Sequence, residues 1–138
     1  LAGLRHYRFG IGAVEQGEVG MIRIVLPYPP SLWDMYVGWG KTRRLSPEYA
    51  KWRAGAGHFI RGRNEKPISI PFTASIALKR PNRRQDLDNR AKPIFDALQH
   101  YGIIKNDNLL ERFTMTWDAG MKDECVVLIM PAEEALAA

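Results

Sequence analysis

The sequence predicts one α/β domain (α+β in its layering), ordered βαβαββ, with a mixed sheet and two main helices. Three observations carry that expectation. Apolar residues alternate along four stretches, as half-buried strands require. They recur at helical spacing along two others, each behind a recognisable start signal. And 138 residues supply one core of ordinary size, too few for two domains.

Residues 1–20 contain Gly3, Gly10, Gly12, Gly17 and Gly20 and show no clear periodicity. They read as an N-terminal extension ahead of Met21, the expected functional start, or as an additional strand. Residues 21–138 make the domain. In 21–26, Ile22, Ile24 and Leu26 share one face and Arg23 and Val25 the other. Pro27, Pro29 and Pro30 end that strand, because proline donates nothing to a ladder. The loop 31–45 sets Trp33, Tyr36 and Trp39 among glycines and the cations Lys41, Arg43 and Arg44. Aromatics beside positive charge suit stacking on unpaired bases. Covering the core, or a subunit contact, suits them as well.

Ser46-Pro47-Glu48 combines a side-chain cap, a first-turn proline and an acid at the positive dipole end. The helix it starts carries Tyr49, Trp52, Ala56, Phe59 and Ile60 on one stripe, expected as core. Gly55 and Gly57 inside it imply close packing or a kink. Residues 69–79 alternate again, Phe72, Ala74, Ile76 and Leu78 against Thr73, Ser75 and Ala77. A second helix over about 89–101 presents Ala91, Ile94, Phe95, Leu98 and Tyr101 and stops at Gly102. Pro93 is tolerated only in or beside a first turn, so this helix starts late or bends. Residues 110–117 and 124–130 are the last strands, expected as a hairpin through Asp118-Ala119-Gly120.

Composition narrows the class. With 46% hydrophobic and 25% charged residues the chain is globular. It contains no apolar run of the roughly 20 residues a bilayer crossing needs, and nothing at its start reads as a secretion signal. The lone Cys125 excludes an internal disulfide and reads as a small buried hydrophobe. No membrane and no small-molecule cofactor are expected, and the cytoplasm is the default location. A net charge of +5 favours a polyanionic partner, and its distribution says more. One cluster (Lys41, Arg43, Arg44, Lys51, Arg53, Arg61, Arg63, Lys66) fits a solvated surface and nucleic-acid contact equally. The other (Lys79, Arg80, Arg83, Arg84, Arg90, Lys92) is interrupted by acids.

Those acids are Asp86 and Asp88, with Asp107 following the second helix. If extended backbone persists that far, Asp86 and Asp88 point to one face. Two close carboxylates share a proton or a cation. The helix returns the chain alongside the strand, which brings Asp107 within range of the pair. Three carboxylates and water suit Mg²⁺, with Mn²⁺ an acceptable substitute. Lys92, about one turn beyond Asp88, is expected in the same pocket, where its charge would neutralise a phosphorane-like transition state. Taken singly, the acids read as a helix cap, a solvated loop residue and a turn. Together, among Arg83, Arg84, Arg90 and Lys92, they favour metal held against phosphate. His6, His58 and His100 are scattered and take no role.

The run RRQDLDNRAK, followed by FDAL, GI and ND, resembles the RusA family of Holliday-junction resolvases. The resemblance runs from Met21, through Pro29-Pro30-Ser31 and Leu45-Ser46-Pro47-Glu48, to the last strand. It implies a homodimeric, Mg²⁺-dependent endonuclease, bacterial or prophage-encoded, that nicks four-way DNA junctions symmetrically in recombination and repair. By position it implies metal ligands at Asp86, Asp88 and Asp107 and an essential lysine at Lys92. Lys79, Arg80, Arg83, Arg84, Arg90, Lys41, Arg43 and Arg44 are the expected DNA contacts. Two positions depart from the pattern: Trp33 lies where relatives often carry asparagine, and Asn106 where some carry a further acid. Residues 1–20 have no counterpart. A branched-DNA-binding module without catalysis, and a nuclease for flaps, forks or RNA, are the alternatives.

Overall fold

The computed structural model describes residues 21–61, 63 and 66–133, so the expected extension 1–20 lies outside the described residues. Strand β1 (Ile22–Leu26) buries Ile22, Ile24 and Leu26 and leaves Arg23 and Val25 half-covered, as its alternation requires. Where a plain loop was expected, the chain folds two short strands, β2 (Tyr36–Val37) and β3 (Arg44–Leu45), paired antiparallel. Helix α1 (Pro47–Ile60) starts as read, with Ser46 Oγ accepting from the Tyr49 amide at 2.9 Å. Strand β4 (Phe72–Leu78), helix α2 (Ala91–His100), β5 (Leu110–Trp117) and β6 (Cys125–Pro131) complete the domain.

The main sheet has the order β1-β6-β4-β5. β6 runs antiparallel to both β1 and β4, while β4 and β5 are parallel across the α2 crossover. The sheet is therefore mixed, as expected. The expected β5–β6 hairpin is not formed, because β4 lies between the two strands. β4 is buried along nearly its whole length and takes a ladder on each edge. The connection after β5 has to cross its end, and the Asp118 amide accordingly bonds the Leu78 carbonyl at 2.8 Å.

Both helices cover one face of the sheet. Tyr49, Ala56 and Ile60 enter the core with Ile94, Phe95 and Leu98. Phe59, expected in the same stripe, is 53% exposed. It sits one position round from Ile60, beyond the arc that α1 turns to β1. Gly57 leaves room for the Tyr101 side chain just beyond α2: a Cβ there would lie 2.6 Å from Tyr101 Oη, which donates to the Arg53 carbonyl. Gly55 has open space instead. Helix α2 starts late, behind a 3-10 turn over Asp88–Arg90, so Pro93 falls in its first turn, where no amide partner is lost. Gly102 closes it at φ +75°, the left-handed region. Cys125 is fully buried, and burial pushes its thiol pKa up.

Candidate active site

The segment after β4 does not stay extended. It turns through residues 81–84 and enters the 3-10 turn at Asp88, so the expected strand-like alignment of Asp86 and Asp88 fails. Proximity is reached another way. Both carboxylates line one cleft of about 440 Å³ with Gln85, Leu87, Phe113 and Met115. The last two come from β5, and the Phe113 ring meets Phe95 of α2 edge-on. The cleft is thus walled by the crossover that joins β4 to β5. A larger cleft, about 540 Å³, opens between residues 27–30, α1 and the Pro81, Gln85 and Arg90 side of the same loop, and its one carboxylate is Glu48.

Arg90 holds the acidic loop in shape. Expected among the DNA contacts, it is buried instead. Its Nη1 donates to the Pro29 carbonyl at 2.9 Å and its Nε to the Asp86 carbonyl at 3.3 Å, while Nη2 bonds Gln85 Oε1. Its guanidinium also lies over the Tyr28 ring, 5.2 Å from the centroid. A buried cation demands such partners. The result is a clamp between the proline-rich exit of β1 and the backbone of Asp86.

Asp107 stands apart from that pair. It opens a 3-10 turn (Asp107–Leu109), and its amide is held by Gln99 Oε1 at 3.0 Å. Lys92 Nζ lies 2.8 Å from Asp107 Oδ2 and 3.0 Å from Asp96 Oδ1. Lys92 therefore pairs with Asp107 and Asp96, and it is not among the residues that line the cleft of Asp86 and Asp88. The hydrogen bond that Lys92 donates to Asp107, then that to Asp96, pushes the Lys92 pKa above its ordinary 10.5. Among the described residues no ion pair reaches Asp86 or Asp88, and Asp86 Oδ2 accepts only from Asn89 Nδ2, at 3.4 Å.

The donor set fits a hard divalent cation, being entirely oxygen and reachable from solvent. Its grouping is two and one. Among the described residues no three acidic, imidazole or thiol groups converge on one point, so Asp107 is not drawn up to the pair. Asp96 and Gln99, which orient Lys92 and Asp107, were not singled out in the sequence. The i,i+4 spacing of Lys92 and Asp96 was the signal available.

Of the other basic residues, Lys79, Arg83, Arg84, Lys41, Arg43 and Arg44 are exposed and Arg80 is half-buried. Arg80 packs over Trp117 at 4.5 Å, Arg43 lies over Tyr36 at 4.2 Å, and Arg44 donates to the Thr42 carbonyl at 3.2 Å. No helix among the described residues is long and apolar enough to cross a membrane.

The family model for the endodeoxyribonuclease RusA matches residues 27–129, which takes in Asp86, Asp88, Lys92 and Asp107. The chain belongs to the RusA family. Two relatives of the family agree. The crossover junction endodeoxyribonuclease RusA of Aquifex aeolicus (strain VF5) is 33% identical over 98 residues, 70% of this chain and 77% of that protein. The crossover junction endodeoxyribonuclease rusA of Enterobacteria phage HK97 is 35% identical over 91 residues, 62% and 72% respectively. Within this RusA-family chain the acidic cleft, the Arg90 clamp and the Lys92–Asp107 pair all lie inside the matched span.

Proposed function

We propose that this chain is a Mg²⁺-dependent endonuclease that resolves four-way DNA junctions in recombination and repair. One observation carries the reading: a RusA-family chain with two exposed carboxylates lining a cleft beside a cationic surface, free of any protein counterion among the described residues. Asp86, Asp88 and Asp107 are the residues to hold the metal. When bound, a divalent cation supplies Lewis-acid polarisation of the phosphodiester and a more acidic water.

The protein's own contributions follow from its groups. Lys92 stays protonated at neutral pH, so its role is electrostatic: a fixed positive charge for the oxygen that gains charge as the phosphodiester breaks. To serve there it exchanges one carboxylate partner for a phosphate oxygen. Lys79, Arg83, Arg84 and Lys41 hold phosphates and position the duplex arms without reading sequence. A homodimer completes the reading. A four-way junction presents two equivalent strands, each chain carries one set of Asp86, Asp88, Asp107 and Lys92, and a two-fold axis offers the site twice.

The experiment is incubation of a synthetic four-way junction beside linear duplex, fork and flap substrates, each with Mg²⁺ and with EDTA. Paired nicks confined to the junction and lost in EDTA are expected. Binding of the junction with no cutting in Mg²⁺ leaves a DNA-binding module. Preferred cutting of flaps or forks reassigns the substrate. On a supercoiled cruciform, a dimer yields linear product directly, whereas accumulated nicked circles oppose it.

A further inference from the structure

The two most exposed large hydrophobic side chains described lie close in sequence, outside the acidic cleft: Trp33 is 77% exposed and Trp39 is 90% exposed. Indole is costly to leave in water, and a mobile loop would let it collapse onto nearby apolar surface. Here the backbone prevents that. Thr42 Oγ1 accepts from the Trp39 amide at 3.2 Å and donates to the Trp39 carbonyl at 2.7 Å, and the Thr42 amide adds a third bond at 3.0 Å. Gly38 and Gly40 flank the residue at φ +86° and +52°. A Cβ at Gly38 would lie 2.4 Å from the Thr42 carbonyl oxygen, so the turn admits no other residue.

The base of this hairpin is anchored just as firmly. Met35 is fully buried, the Ser46 amide bonds its carbonyl at 2.8 Å, and Ser46 Oγ donates to the Asp34 carbonyl. The 3-10 turn bearing Trp33 (Leu32–Asp34) packs against α2 and against the Asp88–Arg90 turn. The Trp33 turn is therefore mounted beside the Asp88–Arg90 turn, and the braced hairpin bearing Trp39 follows it in the chain. Its surroundings are cationic: residues 31–45 contain Lys41, Arg43 and Arg44 against Asp34 alone.

We propose that the β2–β3 hairpin is a base-stacking wedge: Trp39, aided by Trp33, takes unpaired or unstacked bases at the branch point of a DNA junction. Lys41 and Arg44 hold the adjoining phosphates. This rests on the junction-endonuclease reading and adds the element that senses the branch. Stacking on indole tolerates any base, and the cations complement the backbone that accompanies it. A second copy of this chain is the poorer occupant, since an isologous contact through this face would set Lys41, Arg43 and Arg44 of both copies against each other.

The test uses the full chain in EDTA with three probes: oligo(dT), linear duplex, and a four-way junction carrying 2-aminopurine at the branch. Trp39→Ala is expected to weaken oligo(dT) and junction binding roughly ten- to hundred-fold while leaving duplex affinity within about two-fold. Trp39→Phe is expected to retain most of it, and the 2-aminopurine signal to revert in the Ala variant only. Trp39 is so exposed that folding is unaffected, which a thermal melt checks. Unchanged affinity and an unchanged 2-aminopurine signal overturn the wedge, as does a lower solution mass of the variant without loss of oligo(dT) binding. If the parent neither prefers nor cuts junctions yet Trp39→Ala weakens oligo(dT) binding, the endonuclease reading fails and the stacking surface stands. If the parent cuts junctions and the variant binds and cuts them equally, the wedge alone fails.

Discussion

The two halves of the candidate site keep their carboxylates in opposite states. Asp86 and Asp88 face an open cleft and meet no cation of the protein among the described residues. Asp107, half-buried, is already neutralised by Lys92, which Asp96 holds from the other side. A carboxylate pair without a counterion is set to accept one from solution. A carboxylate with a resident ammonium has to release it first. On the proposed reading the acidic loop would take up the cation first, and Asp107 would join it once Lys92 turns to phosphate.

Changing the first half should have the largest effect. Asp88→Asn, and equally Asp86→Asn, is expected to abolish Mg²⁺-supported cleavage and to leave junction affinity unchanged or slightly raised, since a negative charge leaves a phosphate-binding surface. A gel shift without metal checks it. Parallel loss of binding and cutting would make the residue structural and erase the contrast.

In the second half, Lys92→Ala removes one charge whose value, on the proposed reading, would peak in the transition state. Single-turnover cleavage should fall roughly 100-fold, about 3 kcal/mol, with affinity little altered. A rate within a few-fold of the parent would remove Lys92 from the chemistry.

The clamp under the first half offers a smaller, mixed effect. Arg90→Met fills similar space but leaves the Pro29 and Asp86 carbonyls without their donor, at about 1–3 kcal/mol each if they stay dry. A lower melting temperature and cleavage reduced roughly ten-fold are expected, with Lys92 titrating as before. A full parental rate at unchanged stability would mean that Arg90 does not shape the acidic loop.

The smallest effect belongs to Asp96→Asn, which removes the lesser of the two hydrogen-bonding carboxylates on Lys92. Its pKa should move down towards the ordinary 10.5, and cleavage should change only a few-fold. The pH dependence has a definite sign. Because folding raises the Lys92 pKa, the stability from its ion pairs is fully present below the unfolded value and is lost as pH rises through the folded one. Nothing from Lys92 should therefore appear between pH 7 and 9, which Lys92 side-chain NMR and a pH–rate profile can check. A titration of Lys92 in that range would contradict the pairing.

Most of the fold was legible because local rules and tertiary packing agree. The β1 alternation, the Ser46 cap, the late start forced by Pro93 and the left-handed Gly102 each have a cause within a few residues. The β5–β6 pairing was misread because strand order depends on which strand is buried on both edges, and the Asp118-Ala119-Gly120 turn is the same for a hairpin and for a crossing. In the candidate site, residue types were legible and partnerships were not. Lys92 is four residues from both Asp88 and Asp96, and spacing alone cannot choose between them. In the structure Lys92 meets Asp96, while Asp88 opens a 3-10 turn and lines the cleft with Phe113 and Met115 of β5. Arg90 was read as surface because nothing local marks the Pro29 carbonyl, 61 residues earlier, as its partner.

The strand order also governs when this domain can exist during synthesis. β6, the last of the described strands, lies between β1 and β4, with Ile22 opposite Ile129 and Ile76 opposite Val127. Until Cys125–Pro131 has emerged, β1 has no ladder partner among the described residues and β4 has one open edge. Nearly a hundred residues of chain must be held before that central seam closes, which makes the seam a late and costly contact. The acidic loop inherits the delay through Arg90, whose partner Pro29 follows β1: a nascent chain lacking β6 has every residue of the cleft, but the strand that leads to Pro29 is not yet fixed to the sheet.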